Sequence, residues 1–121
     1  MKNILRQLHY FSPSEKEGYI ELIIPVVIKI YKACLRLRIY KTENGFVISD
    51  EGDTFYDCNE DSEYYYDLFL KNDKNNPYGI KLKDDYFYKE YPNNFNINVA
   101  LSEFIKFYVY LDDYIKNNDI R

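Results

Sequence analysis

The sequence predicts an α+β domain: a small, mainly antiparallel sheet covered by helices, in the order α-β-β-β-α-β-β-α, ending in a long helix. Two stretches carry that expectation. Residues 33–41, ACLRLRIYK, alternate cleanly, with Leu35, Leu37 and Ile39 to one side and Arg36, Arg38 and Tyr40 to the other. That period of two belongs to a half-buried strand. Ile97, Leu101, Phe104, Tyr108, Leu111 and Ile115 are spaced 4, 3, 4, 3, 4, which draws one apolar stripe along a helix of about five turns. A chain of 121 residues with no internal repeat and no long linker fits a single domain, residues 1–121, and can bury a core without disulfides or metal.

The remaining elements follow from local signals. Residues 2–10 place Ile4, Leu5 and Leu8 on one face of a short helix, which Ser12-Pro13-Ser14 ends. Residues 19–30 are rich in β-branched side chains and read as a strand near 18–24 with a looser continuation. Pro25 cannot donate to a ladder and marks an edge, a bulge or a break. Asn44-Gly45 is a hairpin signal, because both residues tolerate positive φ. The return strand, 46–50, then sets Phe46 and Ile48 on the face of Leu37 and Ile39.

Asp57, Asn59 and Asp61 are candidate N-caps, with Asp57 and Glu60 spaced as a capping box, for a helix near 61–71 that turns Tyr65, Leu68 and Phe69 inward. NDKNNPYG at 72–79 is a loop. Residues 80–83 and 86–91 form another hairpin about Asp84-Asp85, ended by Pro92-Asn93-Asn94. Asn93, Asn94 or Asn96 caps the last helix, and Asn117-Asn118 ends it.

Charge is distributed unevenly. The net charge is −4, yet residues 1–41 hold eight bases against three acids, residues 42–70 hold nine acids and no base, and the rest cancel. The acidic and basic blocks either face each other or serve a partner. Fifteen Tyr, eight Phe and no Trp supply large apolar areas, many with polar tips, suited to half-buried positions and to recognition surfaces.

Several chemistries lack their residues. Cys34 and Cys58 make no Cys-x-x-Cys, and zinc needs more nitrogen and sulfur ligands than the chain offers, so a reduced, cytoplasmic protein is expected. No signal peptide is evident, and the apolar segment 20–35 is interrupted by Glu21, Pro25, Lys29 and Lys32, so no membrane partner is expected. A metal-dependent nuclease would take Asp50 as its strand-end acid, but the later strands offer no acid-x-Lys. Asp57-Cys58-Asn59-Glu60-Asp61 has the opening spacing of a calcium loop, with Ser62 where the glycine belongs and Leu68 where the bidentate Glu belongs. His9, the sole histidine, has no nucleophile motif near it, and four scattered glycines form no phosphate loop.

Three motifs, GYIELIIP, GFVISDEGDTFYDC and YGIKLKDDYFYKEYPNNF followed by an apolar helix, resemble a prokaryotic domain-of-unknown-function family, number eighteen twenty-eight. GFVISDEGDTFYDC is similar to the family's hallmark, a strand ending in Thr/Ser-Asp-Asp/Glu-Gly, then x-Thr and a helix start. The resemblance covers roughly residues 15–115. It implies the α+β fold and a bacterial or phage setting, and carries over no catalytic residue.

The expected function is therefore a non-enzymatic protein-binding module with no cofactor, no metal and no catalytic residue. It would be a phage or mobile-element inhibitor of a host nucleic-acid-processing or defence protein, of the anti-CRISPR or anti-restriction type. The partner is a host protein with a basic surface. It would be met by Asp50, Glu51, Asp53, Asp57, Glu60, Asp61, Glu63, Tyr64 and Asp67. The alternatives are a nuclease-like domain and single-stranded nucleic-acid binding through Lys29, Lys32, Arg36, Arg38, Tyr40 and Lys41, where tyrosines would stack bases and cations neutralise phosphates. Within GFVISDEGDTF itself, Gly52 is read as a backbone device and Asp50 and Asp53 as acceptors for turn amides.

Overall fold

A computed structural model describes residues 13–28, 33–56, 63–64, 67–69, 77–84 and 86–118. The elements are β1 (Ser14–Lys16), β2 (Tyr19–Ile28), β3 (Ala33–Lys41), β4 (Gly45–Ser49), α1 (Asp53–Tyr56), β5 (Lys81–Lys83), β6 (Tyr86–Pro92) and α2 (Ile97–Asn118). The strands form one six-stranded sheet in the order β1-β2-β3-β4-β6-β5, with every neighbour antiparallel. The domain is α+β, with α2 packed on one face of the sheet.

Alternation in the strands decides what that face contains. Ile20, Leu22 and Ile24 of β2, Leu35, Leu37 and Ile39 of β3, Phe46 and Ile48 of β4, and Phe87 and Tyr91 of β6 are all buried. Ile39 pairs directly with Ile48, so the predicted register of the first hairpin is the observed one. The stripe of α2 meets these side chains with Ile97, Leu101, Phe104, Tyr108, Leu111 and Ile115, joined by Ala100 and Phe107. Fully burying a side chain of this size stabilises by about 1.5–3 kcal/mol, so this single layer supplies most of the folding drive. The Asn96 carboxamide starts the helix by accepting from the amides of Asn98 (2.8 Å) and Val99 (3.2 Å). Asn118 closes it, donating to the Tyr114 carbonyl.

Four local expectations differ from the structure. Residues 14–16, given no element by the sequence and sharing only Ser14 with the expected break, form β1, an edge strand held by backbone pairing to β2. β2 is longer than expected and runs to Ile28, but its register slips between Ile24 and Val27, which makes Pro25 part of a bulge, one of the roles the sequence allows it. The first hairpin turns at Glu43-Asn44, closed by the Thr42 amide on the Gly45 carbonyl (2.9 Å). Neither Asn44 nor Gly45 has positive φ. Gly45 is needed for a different reason: a Cβ there would sit 1.8 Å from the Tyr91 carbonyl oxygen. The short helix at Asp53–Tyr56 is not among the expected elements, whereas the expected helix near 61–71 is helical where it is described, at 63–64 and 67–69, with Phe69 buried and Leu68 packed on the core as the sequence predicts. The expected helix at 2–10, His9, the caps Asp57, Asn59 and Asp61, and Tyr65 lie outside the described residues. Among those described, no helix is long and apolar enough to cross a membrane.

Candidate functional site

The corner after β4 answers for the acids of SDEGDTF. Asp50, Glu51, Gly52 and Asp53 form a tight turn in which the Asp53 amide donates to the Asp50 carbonyl (3.0 Å). Both central residues have positive φ, 54° at Glu51 and 82° at Gly52, the signature of a type I′ turn. The Asp50 carboxylate folds back into the molecule and is 1% exposed. Its Oδ1 accepts from the amides of Gly52 (3.0 Å) and Phe87 (2.8 Å), and its Oδ2 from the amide of Thr54 (3.2 Å). Burial pushes its pKa up, while hydrogen bonds from Thr54, Gly52 and Phe87 hold the rise back. The Thr54 hydroxyl lies 2.8 Å from that of Tyr108, which extends the network to α2.

Asp50 is therefore withdrawn from the surface patch assigned to it. Its oxygens are spent on backbone donors that tie β4, α1 and β6 together, which also removes it as a nuclease's metal-holding acid. Among the described residues, no group of three His, Cys, Asp or Glu side chains converges on a point where a metal ion would sit.

The rest of the proposed acidic patch divides. Glu51, Glu63 and Asp67 are exposed and Tyr64 is half-buried. Asp53 turns toward the basic strand, 3.8 Å from Arg36 and 3.7 Å from Arg38. Asp57, Glu60 and Asp61 lie outside the described residues, as do Lys29 and Lys32 of the basic set. Lys41 is corrected: it shares the parity of Leu35, Leu37 and Ile39, opposite to Arg36 and Arg38, and its ammonium bonds the Asn93 carboxamide at the sheet's end.

What remains is the other face of the sheet. Among the described residues, the buried hydrophobic side chains of the strands lie on the α2 side and no helix covers the opposite side. Register sets its rows. Glu21, Arg38, Ser49, Tyr88 and Lys81 follow one another across β2, β3, β4, β6 and β5. Tyr40, Val47 and Glu90 form the neighbouring row, with Tyr19 beside Tyr40 at a ring separation of 5.4 Å. Ile23 is 46% exposed on the same face.

Arg38 is held there by its Glu21 neighbour (3.4 Å), by Asp53, and by the ring of Tyr19 at 5.9 Å. Burial works against its charge, and Asp53 and Glu21 more than offset that, so its pKa is raised. Tyr40 has its pKa pushed up by burial and by the Glu51 carboxylate beside its hydroxyl, with Arg38 pulling the other way.

Between these groups lies a groove of about 490 Å³. Val47 and Ser49 make its floor because they are the small side chains of the central strand; Tyr40 walls one side, and Tyr86 and Tyr88 the other. Glu51, Glu90 and Lys83 stand at the rim. Sequence reasoning named Arg36, Arg38 and Tyr40 of this face and missed Tyr19, Val47, Tyr86, Tyr88 and Glu90. The alternation of YFYKEY held the missing signal, since Phe87 and Tyr91 point to the core and Tyr86, Tyr88 and Glu90 away from it. No family model matches the chain, and no curated protein or solved structure matches it either.

Proposed function

We propose that this chain is a non-enzymatic protein-binding domain of the inhibitor type, directed at a basic surface of a nucleic-acid-processing or defence protein. Its working surface is the open sheet face with the acidic corner at its margin. One observation carries the reading: the face opposite α2 holds half-buried Tyr19, Tyr40, Tyr86 and Tyr88 together with exposed Ile23, the tyrosine-rich and partly apolar makeup of an interface core. The charges support a protein rather than a nucleic-acid partner. Arg36 and Arg38 already have carboxylates beside them, and Glu51 and Glu90 flank the tyrosines that would stack bases.

The test is capture from lysate of cells that natively make the chain, using the tagged full chain and two variants. Tyr40→Ser with Tyr88→Ser alters the open face, and Val99→Ser with Val109→Ser alters the exposed side of α2 as a control. The expected result is one stoichiometric protein, resistant to nuclease, lost with the first variant and kept with the control. Loss on nuclease treatment, or capture unaffected by the sheet-face variant, would refute the reading.

A further inference from the structure

From the groove between Tyr40 and Tyr88 we infer that the open face is built to receive an arginine side chain of its protein partner. This rests on the protein-binding reading above and names what the face recognises. The chain supplies its own precedent a strand away. Arg38 is held with its guanidinium over the Tyr19 ring at 5.9 Å and within 3.4 and 3.7 Å of two carboxylates, Glu21 and Asp53. The groove repeats those ingredients without a guanidinium of its own: tyrosine walls, Glu51 at one rim and Glu90 at the other.

The shape fits the same group. Val47 and Ser49 leave a trough between larger neighbours, while the Tyr86 and Tyr88 rings, 5.6 Å apart and tilted by 50°, offer a broad aromatic wall. A planar guanidinium slides against such a wall and keeps its N–H edges free for carboxylates, whereas an ammonium cannot stack and keeps its hydration. The Ser49 hydroxyl oxygen accepts from the Glu51 amide at 3.0 Å and so braces the rim carboxylate's own backbone. Among the described lining residues the cation is Lys83, which is exposed, set against two carboxylates, Glu51 and Glu90.

The test needs no partner. The full chain is titrated with Nα-acetyl-arginine amide, and in parallel with Nα-acetyl-citrulline amide, which has the same shape and no charge, while the Tyr ring and Val47 methyl resonances are followed by NMR. The expected result is a saturable shift at Tyr40, Tyr86, Tyr88 and Val47 with the arginine probe, at about tenfold lower concentration than with citrulline. Glu51→Gln with Glu90→Gln, both exposed positions, should bring arginine down to the citrulline response with the rest of the spectrum unchanged. Equal responses to both probes, no shift at these four residues, or an undiminished response in the double variant would overturn the inference. Such a failure is separable from failure of the protein-binding reading, which is decided by capture with the Tyr40 and Tyr88 variant and needs no arginine probe.

Discussion

Replacing Asp50 by Ala tests whether the corner of the fold hangs on one carboxylate. The substitution removes the acceptor for three amides, those of Gly52, Thr54 and Phe87, at 2.8–3.2 Å. A hydrogen bond to a charged group nets about 1.5–3 kcal/mol, and a buried donor left alone costs about 1–3 kcal/mol. Three bonds at the low end, with some relaxation at the turn, give a loss of about 3–5 kcal/mol. That is a large share of the roughly 5–15 kcal/mol that holds a domain of this kind together. The assay is urea unfolding followed by far-ultraviolet circular dichroism at pH 7, with the same slope in both proteins. Asp53→Ala, three residues along the chain, is the internal comparison. Asp53 is 20% exposed and meets Arg36 and Arg38 at 3.7–3.8 Å, so its removal should cost less than about 1 kcal/mol. A loss at Asp50 no greater than that at Asp53 would refute the argument that the buried acid is the tie.

The same group gives a pH dependence. Burial raises the Asp50 pKa above its unfolded value of 3.8, so the folded chain holds that proton more tightly, and stability from this group falls as pH rises from 3.8 through the folded value. Urea midpoints from pH 4 to 7 should show the wild type losing stability relative to Asp50→Asn across that window. Gly45→Ala places a Cβ 1.8 Å from the Tyr91 carbonyl oxygen and 2.9 Å from Pro92 Cα, both backbone, and should cost at least about 2 kcal/mol, read as a lowered thermal midpoint. Tyr40 should ionise well above the ordinary phenol value of 10.0, and Glu51→Gln should bring it down, as followed by tyrosinate absorbance against the Tyr40→Phe variant.

What is legible in the sequence is what repeats. β3 and α2 are readable to within a residue or two because their apolar positions recur at 2 and 3.6, and nothing outside the element is needed to see that. β1 is not, because Ser14-Glu15-Lys16 has no apolar member and exists as a strand only through its pairing with β2. Gly45 stands out in the sequence for a reason the structure replaces. Its requirement is set by Tyr91 on β6, a contact no local pattern records. Asp50 is the sharpest case. Its place in a turn is visible, but its burial depends on the Phe87 amide arriving from another strand. The residues of the hallmark motif named for family eighteen twenty-eight, Ser49, Asp50, Glu51, Gly52 and Thr54, all work in this corner. In this chain those positions build a turn and its hydrogen bonds, which is a structural role.

The charge blocks teach a related point, since charge counted along the chain and charge laid out on a surface are different quantities. Asp53 from the acidic stretch closes on Arg36 and Arg38 of the basic one, so at that place the two blocks neutralise each other. The centre of the open face holds Glu21, Glu51, Asp53 and Glu90 against Arg36 and Arg38, an excess of two carboxylates. Among the described residues its lysines, Lys16, Lys81 and Lys83, sit on β1 and β5, the short outermost strands. That placement is how sheets discourage other strands from adding to their edges. A partner that extended the sheet would have to overcome those lysines, and a phosphate chain that reached the tyrosines would have to lie across Glu51 and Glu90. A protein surface carrying arginine would bring its cation to Glu51 and Glu90, which outnumber Lys83 at the groove, and its apolar surroundings to Tyr19, Ile23 and Tyr88.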